Sequence, residues 1–290
     1  MIVDGHAHLF RPVSARYPRA VSELFPPERA ALSTDFLEVM KTHGIDRAVV
    51  VALSEQDQYL RDCIGENPDR FSGISVDRGP GTDVFAHLEE QLRWPGCGGL
   101  RMSYLGDPDE RNPRHLSRFA LLQYLADHGL KLWFYSTAAQ LRLLDAIALE
   151  LGSLKIVLNH LGFCPDHIEF RDGLARADVD LPPGTLEMVR HLARHPNVYI
   201  MVSGEYCFSK QAYPFADLHP IVRRLYDCFG PSRLMWASDY PWTVERPGYR
   251  KLMDLPALHL PQVPGTDLAM IMGGTAAALF DLDDKEQIRT

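Results

Sequence analysis

The sequence predicts a closed (β/α)8 barrel, the TIM-barrel class, formed as one domain over residues 1–290. Three observations predict it. Eight short segments rich in strand-forming residues recur along the chain. Amphipathic stretches of helical period lie between them. No GxGxxG turn follows any of the eight, which counts against the structural alternative, a doubly wound dinucleotide fold.

The strand segments are "MIVDGHAH" at the start, "RAVVVAL" (47–53), "FSGISV" (71–76), "CGGLRMS" (97–103), "KLWFYS" (131–136), "KIVLNH" (155–160), "NVYIMVSG" (197–204) and "RLMWASD" (233–239). Between them, "TDFLEVMKTHG" offers Thr34 as N-cap and Gly44 as the residue past the helix end. "SRFALLQYLADHG" and "AAQLRLLDAIALELG" also close on Gly, and "LHPIVRRLYDCFG" has a Pro in its first turn and a closing Gly. One long irregular stretch, within 161–185, follows the sixth strand and reads as a lid or an insertion loop.

Bulk properties narrow the function. A net charge of -8 argues against nucleic acid, whose phosphates need a basic face. No apolar run is long enough to span a bilayer, and no basic stretch leading into an apolar core opens the chain. Five cysteines at irregular positions make neither a disulfide framework nor a CxxC pair, so a reduced cytoplasm is expected. A small molecule is the expected partner, with homo-oligomerisation left open.

In a barrel of this class the chemistry sits at the C-terminal ends of the strands. That rule turns the strand segments into a site: His6 and His8, Arg101, Tyr135 and Ser136, Asn159 and His160, Ser203 and Glu205, Ser238 and Asp239. His6 and His8 share a face, since side chains alternate along a strand. Closure makes the first and last strands neighbours, so His6, His8 and Asp239 should meet. Each residue has a plainer role: a core histidine, a turn aspartate, a paired arginine, or rim aromatics for Tyr135 and Trp242. Taken together, those accidents would all have to fall at one end of one barrel.

The motifs "DGHAH", "LNHLG", "NVYIMVSG" and "RLMWASDYPW" resemble the amidohydrolase superfamily. The likeness is to its amidohydrolase-related (amidohydrolase 2) branch, the group of 2-pyrone-4,6-dicarboxylate lactonase and sugar lactonases, and "HGIDRAVVV", "NPDRFSGISV" and "GGLRM" extend it through the second to fourth strands. The resemblance implies hydrolysis of a small cyclic ester, or a related ester or amide, carrying carboxylate or sugar-like groups. It implies a second reading too: a metal-dependent decarboxylase or hydratase related to aminocarboxymuconate semialdehyde decarboxylase.

The chain departs from the pattern in three places. Metal-dependent relatives carry a His or a carboxylated Lys at the end of the fourth or fifth strand, and "GGLRMS" and "KLWFYS" have neither. Thr275 replaces the usual Asn of "GGNA", and Met201 the usual Lys of "VKLSG". A bridged two-metal centre is therefore not expected. His6, His8 and Asp239, with His160 as a further candidate, remain to hold one divalent ion, zinc first, with water in the open position; the branch also resembles enzymes that work without metal.

In the expected chemistry Asp239 is the general base. His6, His8 and His160 polarise the carbonyl, directly or through the metal. Arg101 clamps a substrate carboxylate, and Tyr135, Trp242 and Tyr206 line the pocket. Two further readings are a cysteine hydrolase built on Cys164 or Cys207, neither of which lies in a nucleophile motif, and a barrel that only binds a ligand.

Overall fold

The structure, a computed structural model, describes residues 1–282 except 56, 78, 80–91, 166, 172 and 173. The expected end of the domain at residue 290 lies outside the described residues, as do three positions of the 161–185 segment.

Ten strands run in chain order as β1 (Val3–Ala7), β2 (Arg47–Val51), β3 (Phe71–Val76), β4 (Cys97–Met102), β5 (Lys131–Phe134), β6 (Ile156–Leu158), β7 (Ile168–Arg171), β8 (Leu174–Ala177), β9 (Val198–Val202) and β10 (Leu234–Trp236). Eight of them form one parallel sheet in the order β1-β2-β3-β4-β5-β6-β9-β10, while β7 and β8 pair antiparallel as a separate hairpin. Helices fill the connections of the sheet apart from that between β3 and β4, most of which lies outside the described residues; the eight predicted strands and the barrel order are both present.

Closure of the barrel depends on β1. Gly5 lies so near β10 that a Cβ there would sit 2.8 Å from the Trp236 carbonyl oxygen, which is why the "DGH" triplet needs glycine. The mouth end of the seam is laced by His8 N–H to Tyr240 C=O (2.7 Å) and Asp239 N–H to His6 C=O (3.0 Å). Below them Asp4 accepts from the Ser238 backbone N–H (2.9 Å), the Ser238 hydroxyl, the Tyr249 hydroxyl (2.7 Å) and the His6 N–H (3.2 Å). The β1–β2 register shifts between Asp4 and Ala7. This bulge breaks the alternation: Val3 packs inside the barrel and Asp4 is turned to the seam, yet His6 again faces inward.

Two apolar layers hold the barrel. Inside it, Val49, Val51, Ile74, Trp133, Val157, Met201 and Met235 stack on one another, with Ala276 and Leu279 of the C-terminal helix against them. Met201 is fully buried there, where a lysine ammonium would need a partner. Outside, the helices pack their apolar stripes on the sheet; Phe36 and Met40 of α1 (Ser33–His43) are fully buried. Thr275 bonds the Pro231 carbonyl at 2.9 Å and so ties the C-terminal helix to the turn before β10.

The helix ends correct one expectation. Thr34 is not the N-cap of α1; Leu32 holds that position, and the Ser33 N–H donates to the Tyr59 hydroxyl at 3.0 Å. A tertiary partner has replaced the local cap. Gly44 ends the helix as expected, left-handed at φ 68°. The stretch read as one helix over 138–152 is two, Ala138–Leu141 and Leu144–Glu150, separated where Leu143 N–H bonds Gln140 C=O in a tight turn.

Replacing Asp4 by alanine strands several buried donors at the seam. Asp4→Ala should lower the unfolding free energy by about 2–4 kcal/mol in urea titration. A loss below about 0.5 kcal/mol would show that the seam closes without it.

Candidate active site

The polar residues expected at the strand ends lie mostly one or two positions beyond them. β6 stops at Leu158 and β10 at Trp236, so His160 and Asp239 stand on the turns that follow. Both turns use left-handed backbone at non-glycine residues: His160 (φ 50°), Leu161 (φ 60°) and Asp239 (φ 58°). Such conformations are costly and persist where the surroundings enforce them. Here each turn swings its side chain over the barrel mouth.

The mouth encloses a cavity of about 410 Å³. His8, Arg101, Tyr135, His160, Tyr206, Asp239 and Trp242 all line it, so seven of the residues expected at the site meet there. His6 does not reach it: it has no exposed surface and lies behind His8.

The proton positions of this pair follow from their partners. The Trp133 indole N–H donates to His6 Nδ1 at 3.1 Å. An indole nitrogen can only donate, so His6 Nδ1 carries a lone pair and the ring's proton is on Nε2. His8 Nδ1 lies 2.8 Å from the Val51 carbonyl oxygen, which can only accept, so His8 bears its proton on Nδ1. The Nε2–Nε2 contact of 3.0 Å is then a hydrogen bond from His6 to His8. Burial pushes both rings toward the neutral form, His8 down to about 4 and His6 well below the usual histidine range.

Asp239 is the anionic centre of the mouth. Its Oδ2 accepts from the Tyr206 hydroxyl at 2.5 Å, and its Oδ1 makes no hydrogen bond with the described residues. Oδ1 lies 3.7 Å from His8 Nε2 and 3.8 Å from His6 Nε2. Burial raises the carboxyl above its ordinary range, against the pull of His8, the Tyr206 hydroxyl and Arg101. Arg101 stands half-buried over the Tyr135 ring at 5.8 Å, with no hydrogen bond or ion pair to the described residues. His160 bonds the Ser203 hydroxyl through Nδ1 at 2.9 Å and meets Tyr135 edge to face at 5.0 Å. Burial takes it down to about 3, so it too is neutral.

The Nε2 atoms of His6 and His8 and Oδ1 of Asp239 converge as a candidate metal centre. Asp239 could turn a lone pair to an ion, but His6 presents a proton, and that proton occupies the one lone pair of His8 Nε2. In this hydrogen-bonded arrangement the trio does not fit a three-ligand ion.

The remaining expected residues lie outside the cavity. Ser238 is spent on Asp4, and Ser136 bonds the Ser103 carbonyl. Glu205 is buried behind the mouth, its carboxyl pushed up to about 7 by burial, with Oε1 3.8 Å from His259 Nε2. The Asn159 amide is buried without a hydrogen-bond partner among the described residues. Burial pushes the Cys207 thiol up to about 12, the wrong direction for a thiolate nucleophile.

Sequence reasoning missed two contributors. Trp133 reads as an ordinary core residue, and only the barrel's closure reveals its N–H aimed at His6. Arg19, in the loop between β1 and α1, donates to the carbonyls of Arg11, Ala20, Phe25, Pro26, Pro27 and Arg29. It knots that loop so that Leu24 and Phe25 cover one side of the cavity. The segment read as a lid or insertion supplies the facing wall, through Ile168, Phe170 and Ala175 of the β7–β8 hairpin.

Fold and site together define a (β/α)8-barrel enzyme whose polar apparatus is gathered at the C-terminal mouth. The family model described as amidohydrolase matches residues 3–282, and the chain belongs to that family of hydrolases. It is 28% identical over 253 residues to an L-fucono-1,5-lactonase of Burkholderia ambifaria, covering 82% of this chain and 80% of that one. It is 28% identical over 251 residues to a 4-sulfomuconolactone hydrolase of Rhizobium radiobacter, covering 82% and 75%. Among solved structures, an amidohydrolase from Burkholderia multivorans with bound zinc superposes with a TM-score of 0.73 at 21% identity, covering 97% of this chain and 99% of that one, a likeness of fold. Among the described residues no helix is long and apolar enough to cross a membrane.

Gly204, φ 76°, makes room for His160: a Cβ there would lie 2.8 Å from His160 Nδ1. Gly204→Ala should cost about 1–2 kcal/mol from left-handed backbone alone and also displace the imidazole. Urea unfolding and the crystallographic position of His160 check this, and an unmoved ring would refute it.

Proposed function

We propose that the protein hydrolyses the ring ester of a small anionic lactone, with Asp239 as general base. The observation that carries this reading is the pair of opposite charges at one cavity: a carboxylate with one oxygen held by Tyr206 and the other without a hydrogen bond from the described residues, and an arginine that makes no ion pair with them. The names of the two lactone-hydrolysing relatives support a lactone substrate, and the sulfonated lactone in the second name supports an anionic one.

In this reading a water molecule bound at Asp239 Oδ1 loses a proton to the carboxylate as its oxygen attacks the lactone carbonyl carbon. Burial favours this, because a raised carboxyl pKa makes Asp239 a stronger base toward water. The oxyanion is met by the Tyr135 hydroxyl and the outward Nε2 of His160, with the Ser203 hydroxyl donating to Nδ1 so that Nε2 bears the proton. The ring C–O bond then breaks, and the protonated Asp239 returns its proton to the leaving alkoxide, giving an open-chain hydroxy acid. Arg101 grips an anionic group of the substrate, a role its planar guanidinium suits. Trp242, which lies 5.7 Å from Phe10 and 5.6 Å from His8, presents an apolar face to the ring. Of the three imidazoles expected to polarise the carbonyl, this assigns the task to His160 alone. Zinc, the ion that nitrogen and carboxylate ligands best suit, would need His6 in its other tautomer.

Asp239→Asn preserves shape but cannot accept the proton, so kcat should fall about 10²–10⁴-fold on a lactone panel. In the unmodified enzyme kcat/KM should decline on the acid side at a pH above the ordinary aspartate pKa of 3.8, because the base is lost as pH drops through a raised value. Undiminished turnover by the variant would overturn the assignment.

Arg101→Met should raise KM more than it lowers kcat, since the grip on a remote anion is felt equally in ground and transition states. The best substrate proving uncharged, or an unchanged KM, would refute this role.

A further inference from the structure

We propose that Trp133 is a positioning residue that locks His6 in the Nε2-protonated tautomer and thereby closes this centre to a divalent metal ion. The argument needs only donor and acceptor chemistry. Trp133 Nε1 donates to His6 Nδ1 at 3.1 Å, His6 Nε2 donates to His8 Nε2 at 3.0 Å, and His8 Nδ1 donates to the Val51 carbonyl at 2.8 Å. The two ends are fixed independently, one by a group that can only give a proton and one by a group that can only take it. The single proton left between the rings falls where both ends require it. A different placement would oppose two N–H groups at Trp133 and His6 or two lone pairs between the histidines.

Metal-bound histidines show the opposite pattern: the nitrogen away from the ion carries the proton and donates it to a carbonyl, carboxylate or water. His8 obeys that pattern through Val51. His6 does not, because the group behind it is a donor. For His6 Nε2 to ligate an ion, its proton would have to move to Nδ1, against the indole N–H. Trp133 is fully buried, its ring 5.8 Å from Phe280 and 6.3 Å from His6, so the indole has no room to turn away. The same chain fills the only lone pair on His8 Nε2. The HxH pair is thus saturated by protein, and of the trio Asp239 Oδ1 is the acceptor without a hydrogen bond from the described residues.

The test reads proton position and metal affinity, not turnover, so its outcome is separate from that of the lactonase reading. Histidine side chains labelled with ¹⁵N report by long-range ¹H–¹⁵N correlation which ring nitrogen bears the proton. In the unaltered protein His6 should show a protonated Nε2 and a bare Nδ1. Trp133 is then replaced by benzothienylalanine, which keeps the ring shape but puts sulfur where the N–H was. A second variant, Trp133→Phe, removes the donor with natural chemistry. Equilibrium dialysis against zinc ion should show affinity about 10–100-fold higher in the donor-free proteins, the range produced by changing a group that hydrogen-bonds a metal ligand. The gain should vanish when His6→Ala is added. A proton on His6 Nδ1 in the unaltered protein, or zinc affinity equal with and without the indole N–H, would overturn the proposal.

Discussion

Everything at the mouth depends on how β1 meets β10. The two strands that close the barrel are the first and last among the described residues, and a single isolated bridge, Ala7 to Tyr240, pairs their mouth ends. Asp4 supplies the missing cohesion by gathering the Ser238 backbone, the Ser238 hydroxyl and the Tyr249 hydroxyl at one carboxylate. Its burial pushes the group up to about 6, so the donors work against a desolvation cost that they do not fully offset. The arrangement persists because the seam has no other way to satisfy those donors. Once it is closed, residues 6 and 8 lie beside residue 239, more than 230 positions away in the chain.

The electrostatics of the site follow from its depth. Burial lowers His6, His8 and His160, so the three imidazoles act as neutral hydrogen-bonding groups whose directions are set by their partners. Among the described residues, Asp239 and Arg101 face the cavity without a counter-ion in direct contact, while the lining Asp77 is paired with Arg118 at 3.2 Å. A low-dielectric space holding one free anion and one free cation favours a ligand that is itself polarised, with an electrophilic carbon at one end and negative charge at the other.

The barrel was legible in the sequence because its signals are local. "RAVVV" and "KLWF" can hardly be anything but buried strands, and the rule that function sits at strand ends led directly to His8, Arg101, His160 and Asp239. Three kinds of feature were not legible. Strand-end residues such as Ser238 and Glu205 look equivalent to Asp239 on paper, and only the turn conformation decides which points into the mouth. The bulge in β1 reverses the facing of one residue, so Asp4, two positions from His6, serves the seam instead of the cavity. Trp133 acts through His6, 127 residues away, and Arg19 through carbonyls of its own irregular loop. Periodicity carries no information about such contacts. A tautomer is less visible still, since it belongs to a chain of partners and not to a residue type.

The β7–β8 hairpin stands outside the barrel's hydrogen-bonded ladder, inserted between β6 and β9. Its Ile168, Phe170 and Ala175 shape one wall of the cavity while contributing nothing to the closure of the barrel. Arg176 on the same hairpin donates to the Tyr206 carbonyl, and Tyr206 in turn holds Asp239. With Asp239 as the proposed base, substrate choice and base strength are written on one small appendage. Evolution or a designer could graft a new hairpin onto this barrel without unravelling it, but every graft that reshapes the wall would also retune the base, so selectivity and reactivity would drift together as one inherited trait.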